Sequence, residues 1–201
     1  MHYSKGGSHD PPFLRMALER EIKLRFDTAD DARARIVAIG ATPLRGRRLQ
    51  EDALLDTPDE SLRRQRSVLR VRNDGGRSIL TFKGPPLPGA MKLREEHETV
   101  AADGDVLLTI LTSLGLHVWF RYQKFREEFT SEDVVIAIDE TPVGVFVEIE
   151  GGEVHIHDTA RALGRTPDEY ITDSYRMLFL LHRDAHGGTG TDMLFPEPAG
   201  E

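Results

Sequence analysis

The chain has 201 residues, no cysteine, a formal net charge of −8 and a pI near 5.5. Without thiols it can form neither disulfides nor thiolate metal sites, so any metal must be held by oxygen or imidazole, which favours hard cations such as magnesium or manganese. The acidic balance argues against a nucleic-acid binder that works through a net basic surface, and the longest strongly apolar run near the C-terminus, Met177–Leu181, is too short to span a membrane.

A soluble cytoplasmic protein with one core is therefore the expectation. Residues 1–15 are polar, rich in Gly and Pro and without period, and read as a disordered leader, so translation from Met16 would also give a complete domain. In Leu18–Phe26, Glu19, Glu21 and Lys23 alternate with Ile22, Leu24 and Phe26. Read as a strand, this puts the three charges on one face, roughly 6.5–7 Å apart, and the two glutamates repel unless something positive lies between them. Taken alone, the pattern fits any half-wet antiparallel strand.

Thr28 before Asp30 and Asp31, the stripe Ile36, Val37 and Ile39, and a stop at Gly40 predict a short amphipathic helix. Strands follow at 48–56, 66–73, 77–84, 92–100, 117–129, 132–140 and 143–150, with Asn73–Gly76 as a tight hairpin turn. Helices fit at 103–114, 155–163 and 168–183, and from 185 to 201 the chain reads as a flexible tail. The domain thus covers residues 16–184.

Parity carries the argument. Arg70 and Arg72 share a face opposite Leu69 and Val71; Lys83 shares one with Thr81; Arg94, Glu96 and Glu98 line up, as do Lys124 and Arg126. Asp139 faces away from Val134, Ile136 and Ile138, and Glu148 and Glu150 away from Val145, Val147 and Ile149. A solvated face would mix polar types and oppose unlike charges, whereas here like charges recur at i and i+2, which is locally unfavourable. The fold class this predicts is α+β, mainly β: an eight-stranded antiparallel closed barrel with a charged lumen and helices over its outward apolar faces.

Such a lumen suits ligands of both signs. The carboxylates Glu19, Glu21, Asp139, Glu148 and Glu150 are hard donors for Mg2+ or Mn2+. Lys23, Arg25, Arg70, Arg72, Lys83, Arg94, Lys124 and Arg126 suit phosphate oxygens. A polyphosphate with its metal answers both halves.

The run of motifs resembles the CYTH family, the triphosphate tunnel metalloenzymes named for class IV adenylyl cyclase and thiamine triphosphatase. It comprises Glu-x-Glu-x-Lys at 19–23, Leu-Arg-Val-Arg at 69–72, Thr-Phe-Lys-Gly-Pro at 81–85, Arg-x-Glu-x-Glu at 94–98, Lys-x-Arg at 124–126, Asp139 and Gly-Val-Phe-Val-Glu-Ile-Glu at 144–150. The likeness runs in order from about 17 to 183, and Asp173-Ser-Tyr175 resembles the family's closing helix. It implies a tunnel that binds a triphosphate with divalent metal, in which Glu96 and Glu98 join the metal-side carboxylates. Glu19, Glu21, Lys23, Lys124 and Arg126 are the residues it implicates most directly in catalysis.

The activity expected is metal-dependent hydrolysis of a terminal phosphoanhydride of inorganic triphosphate, thiamine triphosphate or a nucleoside triphosphate. Two alternatives are a class IV adenylyl cyclase that forms cyclic AMP and pyrophosphate, and a non-catalytic polyphosphate-binding module. The expected partner is a small triphosphate, with no nucleic acid or membrane; association as a homodimer is left open. No lysine follows Lys124, so a family lysine on the closing helix has only Arg176 or Arg183 as substitutes, which weighs against thiamine triphosphate. His155 and His157 read as solvated imidazoles at a helix start, and Trp119, Phe120 and Tyr122 as strand packing, with stacking on a substrate ring the alternative.

Overall fold

The structure, a computed structural model, describes residues 17–196; the leader expected at 1–15 lies outside the described residues. Its strands are β1 (Ala17–Phe26), β2 (Thr42–Asp56), β3 (Val68–Asp74), β4 (Arg77–Lys83), β5 (Lys92–Ala101), β6 (His117–Ser131), β7 (Val134–Thr141) and β8 (Gly144–Gly151). The helices are α1 (Ala29–Ala38), α2 (Ser61–Arg64), α3 (Gly104–Ser113), α4 (Glu153–Ala162) and α5 (Tyr175–Ala185). All eight strands pair antiparallel in the closed order β1-β5-β4-β3-β2-β6-β7-β8. Closure leaves the barrel without a free edge and fixes which parity points inward.

The inverted core expected from parity is present. Ile22, Leu24 and Phe26 of β1, Ile136 and Ile138 of β7, and Val147 and Ile149 of β8 point outward and are buried beneath Ala32 and Ile36 of α1 and Ile156 and Ala160 of α4. The Thr28 side chain accepts from the Asp31 N–H, capping α1. Between β3 and β4 the turn holds Gly75 and Gly76 at φ +62° and +89°, a region open to glycine at little cost. Among the described residues no helix is long and apolar enough to cross a membrane.

The short helix α2 was not expected, and three further elements differ from expectation. β2 starts at Thr42, not 48, because its first half, broken by Pro43 and Gly46, follows β6 through register shifts that hide the alternation. The helix expected over 168–183 divides into a 3-10 turn at Pro167–Glu169 and α5. Between them Ile171 exchanges two 2.9 Å backbone hydrogen bonds with Lys23, which no helical residue could do, and Ser174 then caps α5. The segment expected to be a loose tail folds back: Met193 is buried, its N–H donates to the Arg121 carbonyl, and its own carbonyl accepts from the Gln123 N–H. It thereby covers the part of β6 that β7, paired only from Phe125 onward, leaves uncovered.

Candidate functional site

The lumen is one cavity of about 620 Å3, lined by inward side chains of β1 to β6 and β8 and by the start of α5. On its basic wall, two buried aspartates each hold two cations. Asp52 lies 2.8 Å from Arg72 Nε and 3.3 Å from Arg70 Nε. Asp139, fully buried, accepts from Lys124 Nζ at 2.7 Å, from Arg126 Nε at 2.6 Å and from the Tyr175 hydroxyl at 2.5 Å. Lys124 and Lys23 also stand over the Tyr175 ring, at 4.9 and 5.3 Å from its centroid.

On this wall Asp52 and Asp139 help hold Arg70, Arg72 and Arg126 above their ordinary range, and Lys124 is the cation left short. Burial and then the neighbouring Arg126 depress Lys124 to about 8 in spite of Asp139. The buried Nε of Arg70, although 3.3 Å from Asp52, makes no hydrogen bond, and neither does that of Arg94 on β5. Such groups cost free energy until an anion accepts from them.

Across the lumen, Glu19, Glu21, Glu96, Glu148 and Glu150 surround three lysines. Lys83 Nζ lies 2.6 Å from Glu19 and 2.9 Å from Glu96; Lys23 Nζ lies 2.8 Å from Glu21 and 3.2 Å from Glu148; Lys92 pairs with Glu21, and Arg126 with Glu148. Burial raises Glu21 and Glu148, but lysine partners and Arg126 outweigh it and hold both well below the ordinary range. The remaining carboxylates are overloaded. Burial, reinforced by Glu19 against the pull of Lys83, pushes Glu96 up to about 8, and burial followed by Glu19 and Glu21 pushes Glu150 up to about 7.

No three acidic or imidazole side chains among the described residues converge as a ready-made cage; lysines lie between them. The donor set nonetheless fits a hard divalent cation. It is oxygen only, and burial together with acidic neighbours pushes two of its members, Glu96 and Glu150, up to about 8 and about 7, a cost that a cation would relieve.

Most of the residues singled out by parity thus meet in one cavity, with three exceptions in place or role. Arg25 is exposed at the end of β1, its guanidinium 4.8 Å from the Phe146 ring centroid, and does not line the lumen. Asp139, expected on the metal side, has its oxygens taken by Lys124, Arg126 and Tyr175. Glu98 accepts from Thr81 at 2.6 Å and from Arg70 at 3.3 Å, so it braces the basic wall. His155 and His157 stay apart from the lumen, His157 bonding the Tyr170 hydroxyl at 3.0 Å.

Sequence reasoning did not single out Asp52, Lys92 or Tyr175 as site residues. Asp52 and Lys92 sat in the alternation, opposite Ala53 and Leu93, and parity could have found them. Tyr175 is brought in by a contact 36 residues distant, which no local pattern reports.

A family model of the CYTH domain matches residues 17–175. The chain belongs to the CYTH domain family. A provisionally named adenylate cyclase of Methanocaldococcus jannaschii is 28% identical over 147 residues, covering 73% of this chain and 83% of its own length. Among solved structures, PH1012 of Pyrococcus horikoshii superposes with a TM-score of 0.68 at 26% identity, covering 80% of this chain and 98% of the other. A provisionally named adenylate cyclase from Vibrio parahaemolyticus reaches 0.71 at 20%, covering 81% and 98%. HpAC1 from Hippeastrum, provisionally named an adenylyl cyclase and described as having a dominant triphosphatase activity, reaches 0.61 at 18%, covering 83% and 96%. The latter two share the CYTH barrel as a fold.

Proposed function

We propose that this CYTH protein is a divalent-metal-dependent hydrolase that cleaves the terminal phosphoanhydride of a triphosphate, whether inorganic triphosphate, thiamine triphosphate or a nucleoside triphosphate. One observation carries the reading: a single cavity sets Lys124, a buried cation its acid partner does not satisfy, beside an array of arginines on one wall, and Glu96 and Glu150, carboxylates that burial and acidic neighbours push up, on the other. A triphosphate alone would answer the first and worsen the second. A triphosphate with Mg2+ or Mn2+ relieves both.

In this mechanism Arg70, Arg72, Lys124 and Arg126 grip phosphoryl oxygens from the basic wall, oriented beforehand by Asp52 and Asp139 so that little side-chain entropy is lost on binding. Lys124 becomes fully charged when the anion arrives, since the ligand supplies the negative charge that its depressed pKa lacks. Lys23 and Lys83 reach the anion from the acidic side. Glu19, Glu21, Glu96, Glu148 and Glu150 would hold the cation. Bound there, it would neutralise phosphoryl charge and ease deprotonation of water.

A second reading, cyclisation of ATP, is favoured by the cyclase names of the relatives. The Hippeastrum protein, which combines a cyclase name with a dominant triphosphatase activity, indicates that such a name does not decide the reaction. Incubation with inorganic triphosphate, thiamine triphosphate and ATP, each with magnesium or manganese, separates the readings. Orthophosphate release is expected; cyclic AMP with pyrophosphate would establish the cyclase, and unchanged substrate would leave only a binding module.

A further inference from the structure

Imidazole takes no part in lining the lumen. At the other end of the closing helix, however, two histidines meet. His182 and His186 stand four residues apart where α5 ends, a spacing that puts both on one face of the helix. Their rings lie nearly parallel, with centroids 4.1 Å apart and an interplanar angle of 22°.

His186 caps α5, and its Nδ1 lies 2.7 Å from the His182 carbonyl oxygen. A carbonyl can only accept, so Nδ1 carries the proton and Nε2 is left with its lone pair bare. Capping accounts for that much. It does not account for His182, whose half-buried ring lies against that of His186 while neither of its nitrogens has a hydrogen-bond partner among the described residues. Burial, followed by His186 and Arg25, lowers the His182 pKa, so this ring also presents a lone pair at neutral pH. A histidine whose second nitrogen is tied to a backbone carbonyl has its tautomer and orientation fixed and its free nitrogen made more basic, which is how imidazole is presented to a metal. The neighbouring Arg183 is paired with Asp184 at 2.8 Å, and the partial negative charge of the carbonyls ending α5 opposes the field of Arg25.

We propose that His182 and His186 form a two-donor site for a divalent transition metal of the zinc and copper class, with water completing its coordination. Magnesium and manganese, which suit the oxygen donors of the lumen, bind imidazole poorly and should not fill it. Roughly 10–16 Å of helix separates the pair from Tyr175, so a metal here touches no substrate and the proposal stands whether or not the lumen takes a triphosphate. Its effect is on the helix. A metal held by both rings locks the last turn of α5, whose first residue bonds Asp139, and so favours the folded protein with that helix docked.

The test melts the full chain with and without zinc, always in an excess of magnesium so that the lumen carboxylates are already engaged. Zinc at about a hundredfold its Kd should raise the melting temperature by about 5 °C. His182→Gln and His186→Asn should each weaken zinc binding by about tenfold or more, whereas the His155→Gln/His157→Gln variant, which removes the other close pair of histidines in the sequence, should keep it. Copper bound to the wild-type protein should show two coordinated imidazole nitrogens by electron paramagnetic resonance, and one in either single variant, a readout that does not depend on how stable those variants are. No response to zinc, a response untouched by both single substitutions, one lost with His155 and His157, or a copper spectrum without two imidazole nitrogens would each overturn the site.

Discussion

The two ends of the tunnel are built from the same residue types and behave oppositely. At the far end of β3, buried Asp74 lies 2.8 Å from Arg45, 2.6 Å from Arg48 Nε and 3.0 Å from Gln50, while Arg48 also reaches Glu128 at 2.7 Å. Burial would raise Asp74, but its bonds to Arg48 and Gln50 outweigh that and hold it down at about 2. Arg45, Arg48, Asp74 and Glu128 there each have an opposite charge. At the mouth, six residues back along β3, Arg66, Arg94 and Arg176 have none within 4 Å. Cations that are matched hold the barrel together, and cations left unmatched are free to hold something else.

The largest effect that could break this contrast is between the ends, at Asp139. Asp139→Ala strands Lys124, Arg126 and the Tyr175 hydroxyl in a buried place, and should cost about 3–5 kcal/mol of stability in urea unfolding without any metal. A carboxylate used only for metal would leave metal-free stability unchanged. Next, Asp74→Ala at the matched end should cost roughly 2–3 kcal/mol while leaving the KM for triphosphate within about twofold; a large rise in KM would show that this end also holds substrate. Arg72→Ala should raise KM by roughly ten- to a hundredfold with a smaller change in kcat, because it removes a phosphate contact. Unaltered dependence on substrate concentration would remove Arg72 from the site.

The smallest effect concerns pH. Glu96 and Glu150 bind protons more tightly folded than unfolded, so the stabilisation they give is full below the ordinary glutamate range and is lost as pH rises through about 7 to 8. The melting temperature without metal should therefore fall between pH 5 and pH 8, and saturating magnesium should flatten that fall. Glu150→Gln should reduce the slope and slightly raise stability at pH 8, since it removes repulsion from Glu19 and Glu21. Glu148→Gln should instead lower stability across this range without altering the slope, because Glu148 is held ionised by Lys23 and Arg126 and its loss leaves those cations short of a partner. A flat melting profile across this range would mean that the acidic wall is not strained.

Parity made most of this barrel legible. Strands that carry like charges at i and i+2 on one face and aliphatic residues on the other have few folded solutions, and closure with the charges inward is one of them. What it could not reveal was how each charge is used. Asp139 and Glu148 have the same parity and the same chemistry, yet one is consumed by Lys124, Arg126 and Tyr175 while the other faces the cavity, and that depends on neighbours brought in from β6 and α5. Arg25 has the parity of Lys23, but it lies two residues further along β1, where the strand has left the lumen. The early start of β2 was hidden because register shifts replace period two with an irregular count.

The bond from Tyr175 to Asp139 also sets an order of events. Tyr175 follows all eight strands in the chain, so during synthesis the barrel can close before the residue that completes the Lys124 and Arg126 anchor has left the ribosome. A nascent tunnel would then have its phosphate-gripping wall loosely set until the last helix docks. Competence for a polyanion is thereby deferred until α5 has emerged and docked.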